Sequence, residues 1–141
     1  MQAPKRDIEH NNMKQVLSWH DTYWIPKNSS KSYNYEEATK SRDIIKEIIN
    51  QEVKLLNANY SKIIIGRLSQ GANLSLYTGY TKDYLLDGVI SFCRSLFEQV
   101  NINENKNKLN FFLFHGENDK IIPFSCHKKT VRKISNYEDV S

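Results

Sequence analysis

Apolar positions along the chain change period several times, and each change predicts an element. Residues 36–56 carry Ile44, Ile45, Ile48, Ile49, Val53, Leu55 and Leu56 near a 3.6-residue period, which predicts an amphipathic helix. Glu36 and Glu37 stand in its first turn, where carboxylates suit the positive end of the helix dipole. Asn57 to Tyr60 then read as a turn. Residues 61–66 hold the β-branched run Ile63 to Ile65 and predict a buried strand. Residues 71–80 fit a short helix with Leu74, Leu76 and Tyr77 for the core. Two further short apolar runs, 86–92 and 109–114, are rich in β-branched or aromatic residues and bounded by turn formers, so both predict strands. The Asn- and Lys-rich stretch from Asn101 to Asn110 is a polar loop, and the tail from Ser125 to Tyr137 is weakly helical. Residues 1–35 are expected to be irregular. Pro4, Pro26 and Asn28-Ser29-Ser30 interrupt them, and their apolar content is confined to Val16, Leu17, Trp19, Tyr23, Trp24 and Ile25.

Helices alternating with strands imply an α/β fold with a mainly parallel sheet. In such sheets the working residues gather at the carboxyl ends of the strands. Ser69 follows the strand at 61–66, and Asp119 follows the strand at 109–114. Ile-Gly-Arg-Leu-Ser-Gln-Gly-Ala, residues 65–72, has the strand, turn and helix layout of a nucleophile elbow, which holds a serine hydroxyl above the sheet edge. The Gly-x-Ser-x-Gly pattern keeps only its second glycine, Gly71, because Arg67 stands where the first belongs. Both flanking positions have to be small for strand and helix to approach, so an undistorted elbow is not expected with Arg67 in place.

Composition narrows the function classes. At 141 residues the chain is one domain's worth, long enough for a core. Its net charge of +4 is spread without a block of like charges, which points to a solvated surface and away from nucleic acid. Cys93 and Cys126 lack metal-ligand spacing and read as free thiols in a reducing, cytoplasmic compartment. No His/Cys/Asp/Glu cluster has metal spacing. No run reaches the ~18 apolar residues of a membrane span, so at most peripheral membrane contact is expected.

With these residues in place, the chain resembles the acyl-protein thioesterase and lysophospholipase group, the phospholipase/carboxylesterase family of α/β-hydrolases. Four segments carry the likeness in order. They are Ala3-Pro4 through Asn11-Asn12 to Ser18-Trp19-His20-Asp21; the helix at 41–56 with Glu52; Leu68-Ser69-Gln70-Gly71-Ala72 with Leu74-Ser75-Leu76-Tyr77-Thr78; and His115-Gly116-Glu117-Asn118-Asp119 with Ile121-Ile122-Pro123. The resemblance implies a three-layer α/β-hydrolase core with a mostly parallel sheet, here as a single partial domain over residues 1–141, cut at both ends. It implies a serine hydrolase that needs no cofactor. Ser69 would be the nucleophile, Asp119 the triad acid and the backbone N–H of Gln70 an oxyanion donor. The substrates would be acylated proteins or lysophospholipids.

The family's triad histidine lies about thirty residues beyond the acid, whereas 141 − 119 leaves 22 residues here. No histidine of this chain therefore occupies that place. His115 is expected to be a structural strand-end residue, His127 and His20 are poor substitutes for the base, His10 is a surface residue, and Trp19 packs. A catalytically inactive, non-enzymatic binding protein is the alternative function. With sheet neighbours missing, apolar surface from Ile63, Ile65, Val89, Phe112 and Phe114 is expected to be partly uncovered.

Overall fold

The computed structural model describes residues 1–8, 12–21, 33–81, 85–102 and 109–135. His10, the Tyr23-Trp24-Ile25 run, the Asn28-Ser29-Ser30 cluster, most of the polar loop after Asn101 and the tail end at Tyr137 lie outside them. The chain forms strands β1 (Lys5–Ile8) and β2 (Met13–Leu17), helix α1 (Tyr35–Leu55), strand β3 (Ile64–Leu68), helix α2 (Gln70–Thr81), strands β4 (Gly88–Phe92) and β5 (Asn110–Phe114), and helix α3 (Phe124–Ser135). The central sheet has the order β3-β4-β5, and both of its pairs are parallel.

The N-terminal region departs from the expected irregular chain, since β1 and β2 pair antiparallel with Lys5 opposite Leu17 and Arg6 opposite Val16. A strand this short, with mostly exposed polar residues, leaves no alternation to detect. Tertiary contacts hold it: Arg6 pairs with Glu37 of α1 at 3.0 Å, and Ser18 N–H donates to the Pro4 carbonyl at 3.1 Å.

Helix α1 begins at Asn34, whose side chain accepts from the Glu37 N–H at 3.1 Å and caps an otherwise unpaired donor. Its buried face is Ala38, Ser41, Ile45, Ile49 and Val53. That stripe is narrower than the apolar run, and Ile44 and Leu55 stay exposed. After α1, Asn57 and Ala58 take positive φ and a 3-10 turn at Tyr60–Lys62 delivers the chain to β3, three residues later than the pattern suggested.

Helix α2 is enclosed: every residue from Gly71 to Tyr80 is buried, between α1 on one side and β3 and β4 on the other. Gly79 permits the close approach, because a Cβ there would meet Val89 Cγ2 at 2.5 Å. The sheet presents Val89 and Ser91 to this helix layer as buried residues, with Ile65, Phe111 and Leu113 packed against the same core.

The opposite face is open. Ile64, Leu68, Phe92, Phe112 and Phe114 are exposed there, which corrects two expectations. Strand β3 is not buried on both faces. Of the residues expected to be uncovered, Phe112 and Phe114 are, whereas Val89 is sealed by α2 and Ile63 and Ile65 pack against the core. The cause is strand parity: alternate side chains point to opposite faces, and α2 claims the odd-numbered set. Of three expected layers, the described residues therefore supply two.

Candidate active site

Strand β3 ends at Leu68 and α2 starts at Gln70, so Ser69 alone makes the turn between them. It does so at φ 55°, a left-handed conformation that non-glycine residues seldom adopt. Two sets of backbone bonds impose it. Ser69 N–H continues the sheet ladder to the Phe92 carbonyl at 3.0 Å, while its own carbonyl accepts from Ala72 N–H at 2.9 Å and Asn73 N–H at 3.3 Å, opening the helix. The residue is exposed, and among the described residues its hydroxyl makes no hydrogen bond.

The elbow thus forms despite Arg67, contrary to the sequence expectation. The crowding is resolved at Gly71. A Cβ on Gly71 would fall 2.3 Å from Arg67 Cγ and 2.8 Å from Arg67 Cβ, so the arginine stem lies in the space that glycine leaves. Its guanidinium is carried outward to the Met1 carbonyl, 3.0 Å from Nη2.

Gln70 is the first residue of α2, and its backbone N–H lies in the turn that has no intrahelical acceptor. Its side chain ties the elbow to the Ser18–Asp21 loop. Oε1 accepts from Ser18 Oγ and Trp19 N–H, each at 3.1 Å, and Nε2 donates to the His20 carbonyl at 2.9 Å. Sequence reasoning placed Gln70 for its backbone and missed this clamp. Trp19 is buried in the core cluster, so its role is packing.

Asp119 sits in the loop after β5. Leu68, Phe92 and Phe114 are in lateral register, so Ser69 and the start of the Asp119 loop share one sheet edge with β4 between them. Two strand spacings separate them, roughly 10 Å. Asp119 Oδ1 accepts from the N–H groups of Ile122 at 2.9 Å and Ile121 at 2.8 Å. The Ile122 bond is the largest influence holding its carboxyl below the usual range, and the His115 and Arg94 charges add to it.

The histidines take other positions. His115 is buried, with Nε2 donating to the Ile122 carbonyl at 2.9 Å and standing 3.6 Å from Asp119 Oδ2. His127, on α3, stacks on Phe124 with ring centres 5.3 Å apart, and burial followed by the His115 charge lowers its pKa. His20 is sealed against Phe97 and Tyr33, and burial pushes its pKa down to about 4. None of these three rings is hydrogen-bonded to Ser69.

Sequence reasoning also overlooked Asn73 and Arg94, both buried and joined by a hydrogen bond of 2.7 Å from Arg94 Nε to Asn73 Oδ1. The signal available was an amide side chain four positions after Ser69, on the first turns of the helix that the elbow opens. No group of three or more His, Cys, Asp or Glu that could hold a metal occurs among the described residues, and no described helix is long and apolar enough to cross a membrane.

The phospholipase/carboxylesterase family model matches residues 1–139. Acyl-protein thioesterase 1 of Kluyveromyces lactis is 33% identical over 99% of this chain and 62% of its own length. The Candida albicans protein of the same name is 32% identical over 91% of this chain and 58% of its own. The chain thus spans about three fifths of the curated relatives it matches. Among solved structures, Arabidopsis thaliana SOBER1 superposes with a TM-score of 0.79 at 19% identity, covering 96% of this chain and 66% of that one. Esterase PE8 gives 0.75 at 18%, covering 96% and 61%. These likenesses establish the α/β-hydrolase fold.

Proposed function

The chain belongs to the phospholipase/carboxylesterase family, and on that premise we propose that it carries the elbow portion of a serine hydrolase site for acyl thioesters or esters. The observation that carries the reading is Ser69 held at φ 55° between strand and helix, with its hydroxyl exposed. In the proposed reaction Ser69 Oγ attacks the acyl carbonyl carbon and its proton passes to a base. The oxyanion takes a hydrogen bond from Gln70 N–H, and the thiol or alcohol leaves with a proton. Water then hydrolyses the acyl-serine by the same steps in reverse roles. Asp119 would orient the base. Acylated proteins or lysophospholipids are the substrates proposed, reached in a reducing, cytoplasmic setting that suits the free thiols Cys93 and Cys126.

One observation favours a second reading, in which the chain binds acyl groups without turning them over. Ser69 Oγ has no imidazole partner among the described residues, and His115 and His20 are engaged elsewhere. General-base assistance is worth about 10²–10⁴-fold, so ester turnover should not exceed a trace. Fluorophosphonate labelling followed by peptide mass spectrometry tests both readings. Slow modification at Ser69, absent from Ser69→Ala, is expected if the elbow activates the hydroxyl. No adduct at Ser69 after prolonged exposure would leave only the second reading.

A further inference from the structure

Arg94 lies at the sheet edge, and the proposed chemistry leaves it unused. It stands two residues beyond β4, after Cys93 turns the chain at φ 53°, and only 9% of its surface is exposed. Its Nε–H donates to Asn73 Oδ1 at 2.7 Å. Asn73 is itself 3% exposed and is held from the other side by donating Nδ2 to the Ser95 carbonyl. Because the Asn73 N–H also donates to the Ser69 carbonyl, the guanidinium is mounted one helical turn from the elbow serine.

What it lacks is an anion. Among the described residues no carboxylate lies within ion-pair distance, and its two terminal nitrogens have no acceptor yet are not sealed from solvent. The charge of Asp119 reaches Arg94, but that carboxylate is committed to the Ile121 and Ile122 N–H groups and to His115. Removing a guanidinium from water without a partner is unfavourable, whereas two terminal nitrogens presented as a fork match a carboxylate or phosphate.

We propose that Arg94, mounted on Asn73, is an oxyanion-binding group that takes a phosphate or carboxylate carried by the acyl substrate beside Ser69. This deepens the hydrolase reading and rests on it for the word substrate. The anion site itself stands without it.

The test is an NMR titration of ¹⁵N-labelled protein with inorganic phosphate, followed at the Arg94 Nε–H and Asn73 side-chain amide signals. Saturable shifts are expected in the wild type and in Ser69→Ala, and none in Arg94→Met. Asn73→Asp keeps the shape but gives Arg94 an internal carboxylate, so it too should abolish the response, and it serves if Arg94→Met does not fold. A second arm compares a short-chain acyl-glycerol phosphate with the neutral acyl-glycerol of equal chain length. Roughly tenfold tighter binding of the phosphate ester is expected, lost in Asn73→Asp, in line with a charged hydrogen-bonded contact. No saturation in the wild type, or saturation that survives in both variants, overturns the site. Phosphate binding with equal affinity for the two acyl-glycerols overturns its role toward substrate. Failure of the Ser69 reading would show instead in the labelling experiment, with the phosphate titration unchanged.

Discussion

Arg67 and Gly71 behave as a matched pair, since the arginine stem fills the volume a side chain at 71 would need. Gly71→Ala in the wild type forces a Cβ to 2.3 Å from Arg67 Cγ and should destabilise by about 2 kcal/mol. In an Arg67→Gly background the same change should cost much less. A double-mutant cycle by urea denaturation should therefore return a coupling of at least ~1 kcal/mol, and additive effects would mean the stem moves aside freely. Arg67→Gly alone should leave ester turnover at a trace, because relieving the elbow supplies no base. A hundred-fold rise would assign that base to one of the chain's own histidines, with His127 the first to test by substitution.

His20 makes a second residue-scale prediction. Burial favours its neutral form and depresses its folded pKa from 6.5 to about 4. The unfolded chain binds a proton between those values and the folded chain does not, so the stabilisation present above pH 6.5 is lost as pH falls toward 4. The total is on the order of 3 kcal/mol. His20→Phe, which keeps the aromatic contact with Phe97, should flatten the fall in stability between pH 6.5 and 4 measured by urea denaturation. An unchanged slope would assign the acid sensitivity to other groups.

At the scale of elements, α1 and α2 were both visible in the sequence but for different reasons. Helix α1 keeps one buried stripe and announces itself by periodicity and by its acidic first turn. Its cap is a local feature, so Asn34→Ala should cost about 1 kcal/mol in thermal or denaturant unfolding without altering the fold. Helix α2 is buried along its whole length, so no polar face marks it. It was found from its position after a strand and a turn. The β1–β2 pair carried no such signal, because its strands are held by Arg6, Glu37 and the Ser18–Pro4 bond, none of which is adjacent in sequence to what it contacts.

For the whole molecule, the decisive feature is the uncovered sheet face. Ile64, Leu68, Phe92, Phe112 and Phe114 line one side of three parallel strands, and parallel sheets are ordinarily covered on both sides. The isolated 141-residue chain should bind a hydrophobic dye and self-associate with rising concentration. Leu68→Lys combined with Phe112→Lys should reduce both signals while leaving the α2 side of the sheet intact. A monodisperse, dye-silent wild type in sedimentation would show that this face is covered in solution.

From α1 onward, the order of helices and strands, the parallel sheet and the positions of Ser69, Gly71 and Asp119 relative to strand ends were legible in the sequence. Each depends on neighbours a few residues apart: a β-branched run, a turn former, an apolar period. What the sequence left open was decided by contacts between distant segments. Which face of β3 and β4 is covered depends on where α2 lies, and a shift of one residue would exchange Ile65 for Ile64. That Arg67 is compatible with the elbow depends on the space above Gly71. The pairing of Arg94 with Asn73 joins residues 21 positions apart, and the tie from Gln70 to the Ser18–His20 loop spans about fifty. Side-chain volume and polar pairing across the core settled these points, and neither leaves a periodic trace along the chain.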